Sequence, residues 1–373
     1  VKSTRNWAMR LWKPAWLVAV AIVCAVSPAE AGPSIVVDLK SGKVLSQEEA
    51  FRRWYPASLS KLMTAYVAFR ALKAGEVTLK SPVTISRNAA KEPPSKMGYK
   101  PGSVLTLDNA IKIIMVKSAN DVATAIAESI AGSEKAFAAR MNAESRRLGM
   151  SGSHWVNAHG LHDDEQYTTA RDMALLAMTI RGEFPEHVGY FGIEGLAAGK
   201  VKLPNHNTLI GRFDGADGMK TGFTCPAGFN LVASATRKGR TIIAVLVGEP
   251  SVSQRAEKAA QLLEDGFQRN QSFASSLAML PVGGGMLAEA TNMRPVICNE
   301  EARKERAENR DEDGRMIIRS PHIRDLDREP RLVTVGLGGA TGPKSPAAAV
   351  EYANVPIPTP RPDYRPAKQT AVQ

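Results

Sequence analysis

Apolar residues first gather in two short β-rich stretches, 34–38 (Ser-Ile-Val-Val-Asp) and 43–45 (Lys-Val-Leu). Lys40-Ser41-Gly42 between them is a turn signal, so the pair predicts a hairpin. From Ser58 the period lengthens, and Leu59, Leu62, Met63 and Tyr66 fall on one face of a helix. Residues 86–102 are rich in proline and glycine and poor in apolar positions, which predicts a loop. Leu107, Ala110, Ile111, Ile114 and Met115 then form a full helical stripe. Asn120-Asp121 interrupts it before another apolar-faced stretch, Val122 to Ile130. Thr169-Ala170-Arg171-Asp172 resembles a capping box and opens a further helix. Phe229–Ala235 and Thr241–Val247 surround Arg237-Lys238-Gly239-Arg240 as a second hairpin. Ala256, Ala259, Ala260, Leu263 and Phe267 mark an amphipathic helix after it. Strands at the two ends of residues 33–270 are expected to pair into one antiparallel sheet flanked by helices, an α/β (α+β) fold.

The pattern changes after about residue 290. A mixed-charge run, Glu300 to Arg306, is followed by Gly336-Leu337-Gly338-Gly339 and by prolines at 356, 358, 360 and 362. Alternating prolines favour extended polyproline II over helix or sheet interior. Residues 271–373 are therefore expected to be a linker and a largely disordered tail. At the other end, Lys2, Arg5, Arg10 and Lys13 precede an apolar run from Ala15 to Val26, and Ala29-Glu30-Ala31 follows. That is the layout of a secretory signal over residues 1–31, with cleavage after Ala31 and an uncleaved anchor as the alternative. Its removal takes Cys24 and leaves Cys225 and Cys298, which export would permit to pair; sequence does not decide whether they do.

Composition adds less. At 44% hydrophobic the chain is ordinary for a globular protein, and 373 residues suffice for a well-buried catalytic domain. A net charge of +11 suits a polyanionic partner, whether nucleic acid, an anionic membrane face or a cell-wall polymer. No dense Lys/Arg block with interleaved aromatics is present, so nucleic acid is not expected.

Ser58-Leu59-Ser60-Lys61 places a hydroxyl and an amine at i and i+3 on one face of a helix's first turn. A lysine whose burial and neighbours lower its pKa can activate such a serine. Alone the motif is weak, because about one S-x-x-K is expected by chance in a chain this long. Lys220-Thr221-Gly222 is sharper, at roughly a tenth of a chance match. It lies just before the second hairpin, where an edge strand would offer a lysine and a hydroxyl to an anionic ligand, and glycine would let substrate approach the backbone. Two S-x-N triplets occur, Ser86-Arg87-Asn88 and Ser118-Ala119-Asn120. The second ends an apolar-faced helix and is the better candidate; the first reads as a loop cap.

Together, in that order and at those wide spacings, these motifs resemble the penicillin-binding enzymes and serine β-lactamases. Pro56-Ala57-Ser58-Leu59-Ser60-Lys61-Leu62-Met63-Thr64, Ser118-Ala119-Asn120-Asp121, Asn157-Ala158-His159-Gly160-Leu161 and Asp217-Gly218-Met219-Lys220-Thr221-Gly222-Phe223-Thr224 look like the low-molecular-weight D-Ala-D-Ala carboxypeptidases. The resemblance covers about residues 33–270. It implies a two-step acyl transfer in which Ser58 attacks the penultimate D-Ala carbonyl and Lys61 takes its proton. It also implies an oxyanion hole from the Ser58 and Phe223 N–H groups. Ser118 would relay a proton to the departing D-Ala, and Asn120 would hold the stem peptide. Lys220 and Thr221 would bind the terminal carboxylate, with Gly222 beside them. The implied partners are peptidoglycan stem peptides and β-lactams acting as covalent inhibitors, in the bacterial periplasm, with no cofactor or metal. Many relatives carry a further β-rich domain and a C-terminal amphipathic membrane helix; the mixed-charge, Pro-rich tail resembles neither.

The alternatives are a D,D-endopeptidase cutting cross-links with the same nucleophile, a β-lactamase, and a non-catalytic wall-binding protein. No E-x-x-L-N for a deacylating water stands between Ser118 and Lys220, which argues against a class A β-lactamase. His159-Gly160-Leu161-His162-Asp163-Asp164 has a metal-like composition, but no third ligand stands out.

Overall fold

The computed structural model describes residues 32–270, 274–280 and 289–347. The expected signal segment and the proline-rich run at 355–362 lie outside them. β1 (Ser34–Asp38) turns through Gly42 into β2 (Val44–Glu48). A 3₁₀ turn, Ala57–Leu59, leads into α1 (Ser60–Lys73). Next come β3 (Pro82–Thr84), α2 (Arg87–Lys91), β4 (Val104–Thr106), α3 (Leu107–Val116), α4 (Asn120–Ala131) and α5 (Glu134–Leu148). α6 (Ala170–Glu183) is capped by the Thr169 hydroxyl, which accepts the Asp172 N–H as the capping signal anticipates. β5 (Gly195–Ala198), β6 (Val201–Pro204), β7 (Ala216–Thr224), β8 (Gly228–Arg237) and β9 (Arg240–Glu249) follow, then α7 (Val252–Gln268).

The two hairpins do join, in a five-stranded antiparallel sheet of order β2-β1-β9-β8-β7. β9 explains why its sequence is apolar throughout. Ile243, Val245 and Val247 face the core formed with α1, α3, α4 and α6, while Ile242, Ala244 and Leu246 face α7. Each fully buried Val, Ile or Leu side chain there contributes about 1.5–3 kcal/mol. α1 is buried on nearly every side and runs through the centre of the helical layer, so its polar members Ser60, Lys61 and Thr64 are inside the protein.

Three features depart from the sequence expectations. The loop at 86–102 contains the short helix α2, capped by Ser86. α5 had no predicted counterpart. The segment expected to be largely disordered contributes α8 (Arg294–Ile297), α9 (Glu300–Glu308) and β10 (Leu332–Val335). β10 pairs in parallel with β5, in a three-stranded sheet completed by β6. Ile297, Val335 and Ser345 are buried, and Ser345 donates its hydroxyl to the Ile130 carbonyl. A few well-placed apolar residues thus dock a polar segment whose average composition suggests no core. Cys225 and Cys298 form a disulfide joining the end of β7 to the end of α8. No helix among the described residues is long and apolar enough to cross a membrane.

Candidate active site

Ser58 lies in the 3₁₀ turn that starts the buried helix, and three contacts fix that turn. Asn230 on β8 donates to the Tyr55 carbonyl at 3.0 Å, while its own carbonyl accepts the Gly248 N–H of β9 at 2.9 Å. Trp54 Nε1 donates to the Ala227 carbonyl at 2.8 Å. Gly222 on edge strand β7 then passes so close that a Cβ there would lie 2.9 Å from the Pro56 carbonyl oxygen and 3.2 Å from the Ser58 nitrogen. Gly160, at φ +88°, packs on the other side, where any Cβ would collide with the Ala57 carbonyl. The serine is held between two glycine-bearing backbones.

Lys61 Nζ stands 3.1 Å from Ser58 Oγ, 2.8 Å from Asn120 Oδ1 and 2.5 Å from the His159 carbonyl oxygen. A neutral amine has two N–H donors and one lone pair. Donation to Asn120 and His159 leaves the lone pair facing the Ser58 hydroxyl. Burial, then the charge of Lys220, hold the Lys61 pKa well below that of an ordinary lysine. Two carboxylates, Glu92 and Asp121, oppose that shift.

Ser118 occupies the break between α3 and α4, in the left-handed region at φ +61°, and Asn120 opens α4. Buried Asp121 accepts the N–H groups of Met97 and Gly98, and Asn120 N–H donates to the Ser95 carbonyl at 2.7 Å. These bonds pull the 93–98 segment over the site. Lys220 on β7 donates to Ser118 Oγ at 3.0 Å and to the Thr221 carbonyl at 2.9 Å. Burial and nearby Arg255 bring its pKa down to about 7. Thr221, Gly222 and Phe223 follow along β7 and line the same cleft of about 530 Å³ as Ser58, Ser118 and Asn120. All eight sequence-predicted site residues therefore converge, with Lys61 and Lys220 buried behind the cleft wall.

Two features escaped the sequence reading. Arg255 projects from α7 into the cleft while almost wholly buried, with one amino group on the His206 carbonyl at 3.1 Å and its Nε unpartnered. The available signal was an arginine inside the apolar stripe of an amphipathic helix. Behind Lys61, His159 Nε2 lies 3.5 Å from Glu92 and 3.3 Å from Glu134, both of which burial shifts upward. His159 Nδ1 accepts the Leu161 N–H at 3.0 Å, so a neutral ring carries its proton on Nε2, pointed at the two carboxylates. That tautomer suits a hydrogen-bonded cluster better than a metal centre. His162 turns away towards Asp164, so the metal-like run does not converge.

A helix-borne serine and lysine set against the edge strand of an antiparallel sheet, with a second serine bridging to a strand lysine, is the arrangement of the penicillin-binding class of serine enzymes. The D-alanyl-D-alanine carboxypeptidase peptidase family matches residues 22–251, and the chain belongs to that family. It is 36% identical over 241 residues to D-alanyl-D-alanine carboxypeptidase DacC of Escherichia coli, a match spanning 63% of this chain and 60% of that relative. The chain thus covers less than two thirds of that protein's length. Among solved structures, penicillin-binding protein 5 of Haemophilus influenzae aligns with a TM-score of 0.62 at 35% identity, over 65% of this chain and 73% of that one. Penicillin-binding protein D2 of Listeria monocytogenes, in a cefotaxime-bound form, aligns at 0.58 and 28% identity over 64% and 97%.

Proposed function

We propose that this protein is a serine-type D-Ala-D-Ala carboxypeptidase that removes the terminal D-alanine from peptidoglycan stem peptides. The observation that carries the reading is the buried Lys61 amine 3.1 Å from Ser58 Oγ, with Asn120 and the His159 carbonyl to take its N–H groups. Ser58 Oγ attacks the penultimate carbonyl as Lys61 takes its proton. The N–H groups of Ser58 and Phe223 stabilise the oxyanion. The tetrahedral intermediate collapses to an ester on Ser58, and the departing D-alanine amine receives its proton through Ser118. Water then attacks the ester, giving up a proton to the same basic site and releasing the shortened stem. Asn120 orients the peptide and holds Lys61. Thr221, Lys220 and Arg255 offer the hydroxyl and positive charge that a chain-terminal carboxylate requires, which favours trimming at a free end. A β-lactam offers a carbonyl and a carboxylate to the same groups and acylates Ser58. The N-terminal basic and apolar segment supports export to the periplasm, beside the wall.

Fluorescent penicillin and purified muropeptides test this together. The wild type is expected to take covalent label and release one alanine per pentapeptide stem, and Ser58→Ala to do neither. Label retained by Ser58→Ala, or alanine release abolished by chelators, overturns the reading.

A further inference from the structure

The segment after α9 comes back to the site. Asn309 donates to Ser253 Oγ at the start of α7, and to the Ile317 carbonyl across a turn in which Arg310 pairs with Met316. Arg319 N–H donates to Glu257, one helical turn further along α7. Arg306 donates to the Ile297 and Pro250 carbonyls and covers the Phe229 ring at 5.7 Å. The Cys225–Cys298 disulfide ties the residues just before α9 to the end of the strand that bears Lys220. So anchored, Met316 stands at one end of the Ser58 cleft, beside Val252, one helical turn from Arg255. On its far side is a second cavity of about 580 Å³, lined by polar groups that include Glu257, Glu305, Arg310 and Arg319. Val252 and Met316 line both spaces. They are the partition between them.

We infer that Met316 is a specificity-determining residue that closes the leaving-group end of the cleft, limiting the released group to a single amino acid. The inference rests on the carboxypeptidase reading and supplies what that chemistry leaves open, namely trimming against cross-link cleavage. With the leaving carboxylate at Thr221 and Arg255, the rest of the leaving residue points towards Val252 and Met316. A D-alanine places only a methyl group there. The residue released from a cross-link continues into a second stem, and that continuation meets the thioether. The polar cavity behind Met316 is the space it would enter if the partition were shortened. An unbranched side chain held by a hydrogen-bonded turn is a wall that truncation can open without touching Ser58, Lys61 or Lys220.

The test compares kcat/KM on a pentapeptide muropeptide and on a purified cross-linked dimer, for wild type, Met316→Ala and Met316→Leu. Met316→Ala is expected to raise the dimer-to-pentapeptide ratio by about tenfold or more, the scale on which a few methylenes of room change discrimination. Met316→Leu keeps the wild-type ratio, and fluorescent penicillin still labels all three, as an intact Ser58 and Lys61 require. A wild type that releases alanine, with a ratio unmoved in Met316→Ala, overturns this inference alone. A wild type that releases no alanine overturns the carboxypeptidase reading and this inference with it.

Discussion

The chain carries the Ser-x-Asn triplet twice, and the two copies meet opposite fates. Ser86 accepts the Ala89 N–H as the cap of the short helix α2, and Asn88 reaches Glu128 on the surface. Ser118 sits in a left-handed bend between two buried helices, bonded to Lys220, while Asn120 holds Lys61. The residue types are the same, but the partners are not. Ser86 satisfies a backbone group that water would otherwise serve. Ser118 and Asn120 hold two buried lysines that form no ion pair among the described residues. A polar triplet acquires chemical potential from the groups it is buried against.

That contrast can be broken most forcefully at Ser118. Ser118→Ala is expected to slow acylation and alanine release by about 10²-fold or more, as loss of a positioned proton carrier does, while circular dichroism stays that of the wild type. An undiminished rate would return Ser118 to the status of Ser86. The next effect is on pH. Lys220 must be charged to attract a carboxylate, and its pKa of about 7 places the descending limb of kcat/KM near neutrality. Arg255→Ala removes a positive charge that lowers that pKa, so the limb should move to higher pH while KM for the peptide rises. A pH–rate profile of the two forms checks both shifts. The smallest effect is at Ser86. Ser86→Ala should cost about 1 kcal/mol, the usual value of an N-cap, in urea unfolding, with alanine release unchanged.

Much of this was legible in the sequence because local rules and tertiary packing agree. Hairpins at 34–48 and 228–249 each carry turn signals, and their apolar strands find burial only by pairing with each other. The Lys220 triplet was placed on an edge strand, and β7 is one. α5 was missed because its buried positions, Phe137, Ala138, Met141 and Ser145, are sparse in a strongly charged stretch. β10 was missed because four residues carry little period, and its partner β5 lies far away in sequence. Arg255 and the Glu92–His159–Glu134 cluster were missed for a deeper reason. Burial of a charged side chain is decided by what packs over it, and no local pattern records that.

The disulfide turns part of the chain into a covalent ring, closed by two cysteines 73 positions apart. β8, β9 and α7 lie inside it, and β7, with the lysine triplet, leads into it. A protease that nicks the backbone anywhere within the ring therefore produces two fragments that stay linked. The strand bearing Lys220 and the segment bearing Met316 are parted only when the cut is combined with a reductant.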